Sequence, residues 1–381
     1  MSGGGHGHFW DGAAMVRRAP YLRGRAAVLD ATRATFARLG FTEVETPALQ
    51  ISPGMEPHLG VFATRLLAPG HHAAAGTVNG DTGTPRYLHT SPEFAMKKLL
   101  AGGSGLPEFA RIWQLAPVFR NAEGSPTHHP EFRMIEWYRA DAPVEALIAD
   151  CRALLLAAVE AVEGTADEAA GKASGTGMLR HGAVTCDPRA DWQVIGVAEA
   201  FARYAGIDLA AATRGDPMAP DPAPLAEAAA ARGVRTAEGD RWEDIFFRVF
   251  DERIEPHLGH PAPTVLTDYP IAMAALSRPK PDDPSLAERF ELYVAGLELA
   301  NAFGELADAA ALRRRFEADQ DLRARLYGEG ARVPIDEGFL AAVDAMPPNA
   351  AGIALGFDRL VMLATGAADI RDVLWAWVEQ A

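Results

Sequence analysis

The sequence predicts an α+β fold, an antiparallel sheet flanked by helices, and three stretches carry that prediction. Residues 111–139, RIWQLAPVFRNAEGSPTHHPEFRMIEWYR, read as two strands joined by a polar loop holding Asn121, Gly124, Ser125, Pro126 and Pro130. Residues 288–306, ERFELYVAGLELANAFGEL, read as two more strands around a tight turn. Residues 352–366, GIALGFDRLVMLATG, read as a glycine-bounded strand feeding a helix. Strands that neighbour strands, with helices grouped between them, fit α+β better than the strict alternation of a doubly wound α/β sheet.

The elements follow in chain order. Residues 1–19 are expected to be a flexible lead, with His6 and His8 set among glycines rather than in a metal site. Residues 20–39 have helical spacing of apolar positions and stop at Gly40; FTEVETPALQ then gives a short strand broken by Pro47. Residues 68–85, rich in Gly, Ala and Thr, read as a loop or hairpin tip before the strand RYLH. Thr90-Ser91-Pro92-Glu93 opens a helix, with Thr90 and Glu93 at capping-box spacing and Pro92 in the first turn. That helix runs to Gly102-Gly103, and the 111–139 hairpin follows. Residues 143–163 form an alanine-rich helix. Residues 164–190 read as a linker and 192–235 as short helices around GDPMAPDPAP, so a helical insertion around 164–240 is expected within one domain over 20–381. Helices over 242–254, 309–327 and 337–345 and a strand over 264–267 complete the chain.

Composition narrows the function. A chain of 381 residues with 49% hydrophobic and 23% charged residues is that of a soluble globular protein. It has no run of about 18 uncharged apolar residues and no secretory pattern at the N-terminus, so a cytoplasmic location is expected. Its two cysteines, Cys151 and Cys186, lack metal-type spacing and suggest no disulfide. A net charge of −15 argues against non-specific nucleic-acid binding, which needs a basic surface.

Chemistry concentrates on the predicted strands. Period two puts Phe132, Met134, Glu136 and Tyr138 on one face of the return strand, and Glu131, Arg133, Ile135 and Trp137 on the other. Arg120 lies where the first strand meets the loop, and Arg359 in the first turn of the helix after Gly356, where free backbone N–H groups favour an anion. These two arginines with the strand carboxylate Glu298 suit a nucleotide carrying magnesium, because guanidinium forks bind phosphate oxygens and offset charge in transfer. Glu136 with Glu305 could hold an ammonium group, since buried carboxylates need such a partner. Taken singly each has a plainer reading: a surface ion pair for Arg359, an edge charge for Glu298, a turn for Asn301, a helix cap for Ser91 and Glu93. No glycine-rich phosphate loop or dinucleotide fingerprint is present.

Together the segments resemble a known family. VFRN…THHPEFRMIEWY looks like motif 2 and GIALGFDRLVML like motif 3 of class II aminoacyl-tRNA synthetases, and FTEVETPAL is similar to motif 1. TSPEFAMKKLLAGG and GLELANAFGEL resemble the lysyl subgroup, above all its stand-alone paralogues that join (R)-β-lysine to a lysine of elongation factor P. The likeness runs from about residue 20 to the end. It implies the class II catalytic domain, ATP and Mg2+, and a homodimer. It implies that Arg120 meets the α-phosphate and the substrate carboxylate, and Arg359 the γ-phosphate. Glu298 would bind magnesium, with Asn121, His129, Leu299 and Gly356 at the nucleotide. Ser91 and Glu93 would receive the near amino group of lysine or β-lysine, and Glu136, Tyr138, Asn301 and Glu305 the distal ammonium. Because motif 1 begins near residue 41, no room is expected before it for an anticodon-binding domain, so elongation factor P is the expected acceptor and tRNA a poor one.

The sequence also departs from the family pattern. Ala122 stands where a glutamate is usual, with Glu123 adjacent; His129 replaces an asparagine; Ala302 and Gly304 replace a glycine and a histidine, both expected beside the ammonium pocket. Two other readings therefore stand: a truncated lysyl-tRNA synthetase-like enzyme with another acceptor, and a non-catalytic paralogue that binds nucleotide or amino acid.

Overall fold

The computed structural model describes residues 8–70, 83–165, 177–274 and 276–379. Its centre is an eight-stranded sheet, labelled here in chain order: β1 Thr42–Glu43, β2 Arg111–Phe119, β3 Glu131–Arg139, β4 Gln193–Gly196, β5 Thr264–Pro270, β6 Leu286–Val294, β7 Leu297–Gly304 and β8 Ala351–Gly356. The spatial order is β1-β2-β3-β8-β7-β6-β5-β4. The six inner strands are antiparallel, and only the outer pairs β1·β2 and β5·β4 run parallel. Both predicted hairpins form. Ala295 (φ 49) and Gly296 (φ 78) make the tight turn between β6 and β7, where two left-handed residues match the twist of the flanking strands.

The alternation read from residues 131–138 holds. Ile135 and Trp137 lie in the main apolar core with Phe36, Leu147, Leu154, Ile353 and Leu360. That core fills the space between one sheet face and three helices: α1 Gly12–Arg38, α3 Ala146–Glu163 and, following β8, α7 Phe357–Thr365. The opposite face carries Met134, Glu136 and Tyr138. Over it lie α2 Glu93–Gly102, α5 Ala309–Tyr327 and α6 Glu337–Val343, whose shared core includes Phe94, Phe316 and Phe339.

Three expectations need correction. The flexible lead expected over residues 1–19 is helical from Gly12. Asp11 caps α1 by accepting from Ala13 N and Ala14 N, and Pro20 lies inside the helix rather than at its start. Arg18 is fully buried; it donates to the Leu374 carbonyl and stacks over Trp377, partners that local composition could not reveal. His8 stacks on Trp10 and pairs with Glu379, while His6 lies outside the described residues. Second, the insertion around 164–240 is not wholly helical. Its strand β4 joins the edge of the main sheet beside β5, and its helices, with α4 Trp242–Arg253 that follows, build a second core in which Phe201, Trp242 and Phe246 share Leu266, Tyr269 and Tyr293 with the sheet. Residues 166–176 of this insertion and the hairpin tip at 71–82 lie outside the described residues.

Third, the capping box Thr90–Glu93 does not form. Thr90 Oγ1 instead donates to the Pro53 carbonyl, and the Glu93 amide donates to Ser91 Oγ at 3.0 Å. The cap therefore comes from Ser91, as an ST turn one residue later. Cys151 and Cys186 are both free and buried. Among the described residues no helix is long and apolar enough to cross a membrane.

Candidate active site

A cavity of about 390 Å³ opens on the polar face of the sheet, between the β2–β3 loop, β7 and the start of α7. Arg120, Glu298, Leu299, Asn301, Gly356, Arg359 and His129 all line it, so seven of the thirteen predicted positions converge from three distant segments. Arg120 stacks over Phe132, and its Nε is buried with no hydrogen-bond partner among the described residues. Such a donor calls for an acceptor from a ligand.

Arg359 is held more firmly. Its Nη1 donates to the Glu298 carbonyl at 2.8 Å and its Nη2 to His128 Nε2 at 2.6 Å. An arginine cannot accept, so His128 Nε2 must be unprotonated, which leaves the ring proton on Nδ1 facing Ser125 Oγ at 2.7 Å. Burial, then the charges of Arg359 and Arg120, lower the His128 pKa and favour that neutral form. Glu298 is pushed up to about 7 by burial and by its neighbour Glu291, against the charges of Arg359, Arg289 and Arg120. Glu291 itself accepts from Tyr269 at 2.5 Å, Tyr293 at 2.7 Å and Arg289 at 2.6 Å.

Beside this cavity lies a second, closed cluster. Glu136, Tyr138, Ser91, Glu93 and Glu305 come together, as the substrate reading expects, but they do not line the cavity. Ser91 and Tyr138 both donate to the Glu136 carboxylate, the latter at 3.0 Å. Burial, with Glu93 nearby, pushes Glu136 up to about 8. The ammonium that Glu305 meets belongs to the protein. Lys97 Nζ lies 2.5 Å from Glu93 and 2.5 Å from Glu305. Burial opposes its charge, yet Glu305 and Glu93 hold its pKa above the ordinary lysine range. The cluster and the cavity meet along one row across the sheet, Glu136–Ala354–Asn301, set by the β3·β8·β7 register.

Other predicted positions are used differently. Asn121 turns its Oδ1 to the Ala122 amide at 2.8 Å and does not line the cavity. Asn301 lines the cavity rather than the carboxylate cluster, accepting from Arg289 Nε at 3.2 Å. His129 reaches the chain terminus, where its Nε2 accepts from the Val378 amide at 3.2 Å. Ala122 sits at φ 63, and the next residue, Glu123, lines the cavity 3.9 Å from Arg120, so a carboxylate is present one position later than the family pattern.

Ala302 and Gly304 are not beside the ammonium cluster. Period two turns Ala302 into the apolar core beneath the sheet, and a side chain at Gly304 would meet Glu288 and Arg278.

Four further residues belong to the site: His128, Glu291, Lys97 and Gly352. His128 had a legible signal in its place next to His129, and Lys97 in its i,i+4 spacing from Glu93. Gly352 had none, because its need is steric: a Cβ there would overlap the Tyr138 ring and the Glu305 carboxylate.

The profile of the family described as tRNA synthetases class II (D, K and N) matches residues 16–375. A Klebsiella pneumoniae protein named elongation factor P--(R)-beta-lysine ligase is 36% identical over 365 residues, covering 95% of this chain and 96% of its own. Proteins of the same name from Haemophilus influenzae (34% over 372 residues) and Salmonella paratyphi A (35% over 375 residues) each cover 98% of both chains.

Proposed function

The chain belongs to the class II tRNA synthetases (D, K and N), and from that premise we propose that it activates (R)-β-lysine with ATP and transfers it to a lysine side chain of elongation factor P. The acceptor and the amino acid follow the named activity of its near full-length relatives. The observation that carries the chemistry is the junction of two compartments: an arginine-lined cavity and, one strand register away, a buried carboxylate cluster. The first suits a nucleotide and the second the amino groups of a diamino acid, with the reacting carboxylate between them.

In this reading the substrate carboxylate attacks the α-phosphorus of ATP, and pyrophosphate leaves. The acceptor amine then attacks the resulting mixed anhydride, and AMP is released. Arg120 offers its unpartnered Nε–H to the α-phosphate and the substrate carboxylate, offsetting charge as it builds. Arg359, oriented by His128 and the Glu298 carbonyl, takes the terminal phosphate. Magnesium would be held by Glu298, and its role would be to neutralise phosphate charge. The residue fits: Glu298 lines the arginine-walled cavity as a buried carboxylate raised chiefly by burial, and Mg2+ commonly uses one or two carboxylates and completes its shell with phosphate and water. No side chain is required as a nucleophile, so positioning and charge supply the catalysis.

ATP–pyrophosphate exchange with (R)-β-lysine, α-lysine or no amino acid tests the first half-reaction, and transfer of labelled amino acid to elongation factor P or to tRNA tests the second. The expected result is exchange dependent on a lysine, about a hundredfold or more weaker in Arg359→Ala, and label on the protein acceptor only. Exchange that is absent with every amino acid in folded protein would remove the ligase reading. Label on tRNA would replace the acceptor and leave the activation step intact.

A further inference from the structure

The substrate-facing carboxylates carry a cation of their own, and the role of that cation is the question. Lys97 is 2% exposed and Glu305 1% exposed. Lys97 stands one helical turn after Glu93 on α2, and its ammonium bridges Glu93 to Glu305 at 2.5 Å each. Glu93 and Glu305 therefore share one ammonium, and the third carboxylate, Glu136, is not paired with it among the described residues. Arg278 also acts on Glu305, and it is itself engaged by Glu288 at 2.6 Å. Glu136 receives hydroxyl donors from Ser91 and Tyr138 and no ion pair among the described residues.

We propose that Lys97 is a positioning residue: it draws Glu305 toward Glu93 and favours the charged form of Glu305, so that an incoming alkylammonium meets a carboxylate at that end of the cluster. The inference rests on the proposed use of this cluster for a diamino acid. The physical reason is electrostatic. Two carboxylates brought together in a buried site share a proton unless a cation separates them. Burial and Glu93 raise Glu305 to about 7, and Lys97 is the cation that acts against them. A second ammonium then binds with less proton expulsion from Glu305 than it would without Lys97.

The test counts protons. Binding of (R)-β-lysine, α-lysine and cadaverine is measured by calorimetry in buffers of different ionisation enthalpy, for the wild type and Lys97→Met, alongside pyrophosphate exchange. Lys97→Met is expected to release about half a proton more per ligand bound than the wild type near pH 7. Its affinity should fall about tenfold or more and recover as pH rises toward about 8.5, while KM for ATP changes by less than about threefold. Removing a carboxylate together with the ammonium, in Lys97→Met/Glu305→Gln, should return the proton count to the wild-type value or below it. It also serves if the single variant folds poorly.

Equal proton release in wild type and Lys97→Met, or a double variant that keeps the extra proton, overturns the role assigned to Lys97. Wild-type protein that binds the ligands but shows no exchange overturns the ligase reading, and the proton count still decides Lys97. Wild-type protein that binds none of the three overturns both.

Discussion

Glu136 shows how a single buried acid links stability to binding. Its ordinary value of 4.5 is raised to about 8, chiefly by burial. Between those values the folded protein keeps a proton that the unfolded chain has released, so this group's contribution to stability falls as pH rises through the window. Glu136→Gln removes that dependence. The variant should gain melting temperature relative to the wild type when moved from about pH 5 to about pH 8.5, while losing affinity for a diamino acid. An unchanged difference in melting temperature between the two pH values would mean that Glu136 does not titrate there. Arg120, Arg359 and Glu298 were legible because each sits at a strand end or helix start where its neighbours announce the backbone. Lys97's engagement was not, because Glu305 is more than two hundred positions away and only packing unites them.

Among the elements, α7 does the most to orient the site, and it is anchored from below. Asp358, 1% exposed, accepts from the Arg133 amide of β3 at 2.6 Å and pairs with Arg25 of α1. One carboxylate thus ties the helix that presents Arg359 to the hairpin that presents Arg120. Truncating one partner of a buried pair strands the other charge, at a cost of about 3–5 kcal/mol. Asp358→Ala should lower the urea midpoint by a corresponding amount with an unchanged slope. A loss below about 1 kcal/mol would show that Arg25 finds another partner or water. Seven of the eight strands of the main sheet and most helices were legible from local pattern, including the full extent of Ala309–Tyr327, whereas β4 lay where short helices were expected. The start of α1 was not. Its first turns are held by Arg18 against the chain terminus, which outweighs the glycines and Pro20 that suggested a flexible lead.

At the scale of the whole molecule, the segment after residue 177 is part of the sheet and not an appendage to it. Strand β4 pairs with β5, and Trp242 and Phe246 pack in a core that includes Leu266 and Tyr293 from the sheet. The chain should therefore unfold with coincident transitions by far-UV circular dichroism and tryptophan fluorescence. An early fluorescence transition would mean that the segment bearing Trp242 opens on its own.

The family and the sheet's six inner strands could be read from the chain, as could Arg120, Arg359 and Glu298 as candidates for one site, because these readings rest on local patterns of period, turn chemistry and motif. Packing set which face each departure from the family pattern occupies, so that Ala302 belongs to the core while His129 lines the cavity and also accepts from the Val378 amide. Only it decided that Lys97 supplies the first ammonium to the carboxylate cluster and that Gly352 leaves room for Tyr138 and Glu305. The reason is one of range. Backbone preferences act over a few residues and are written where they act, whereas the charge balance and close contacts of a buried site are set by groups that meet only when distant strands and helices pack.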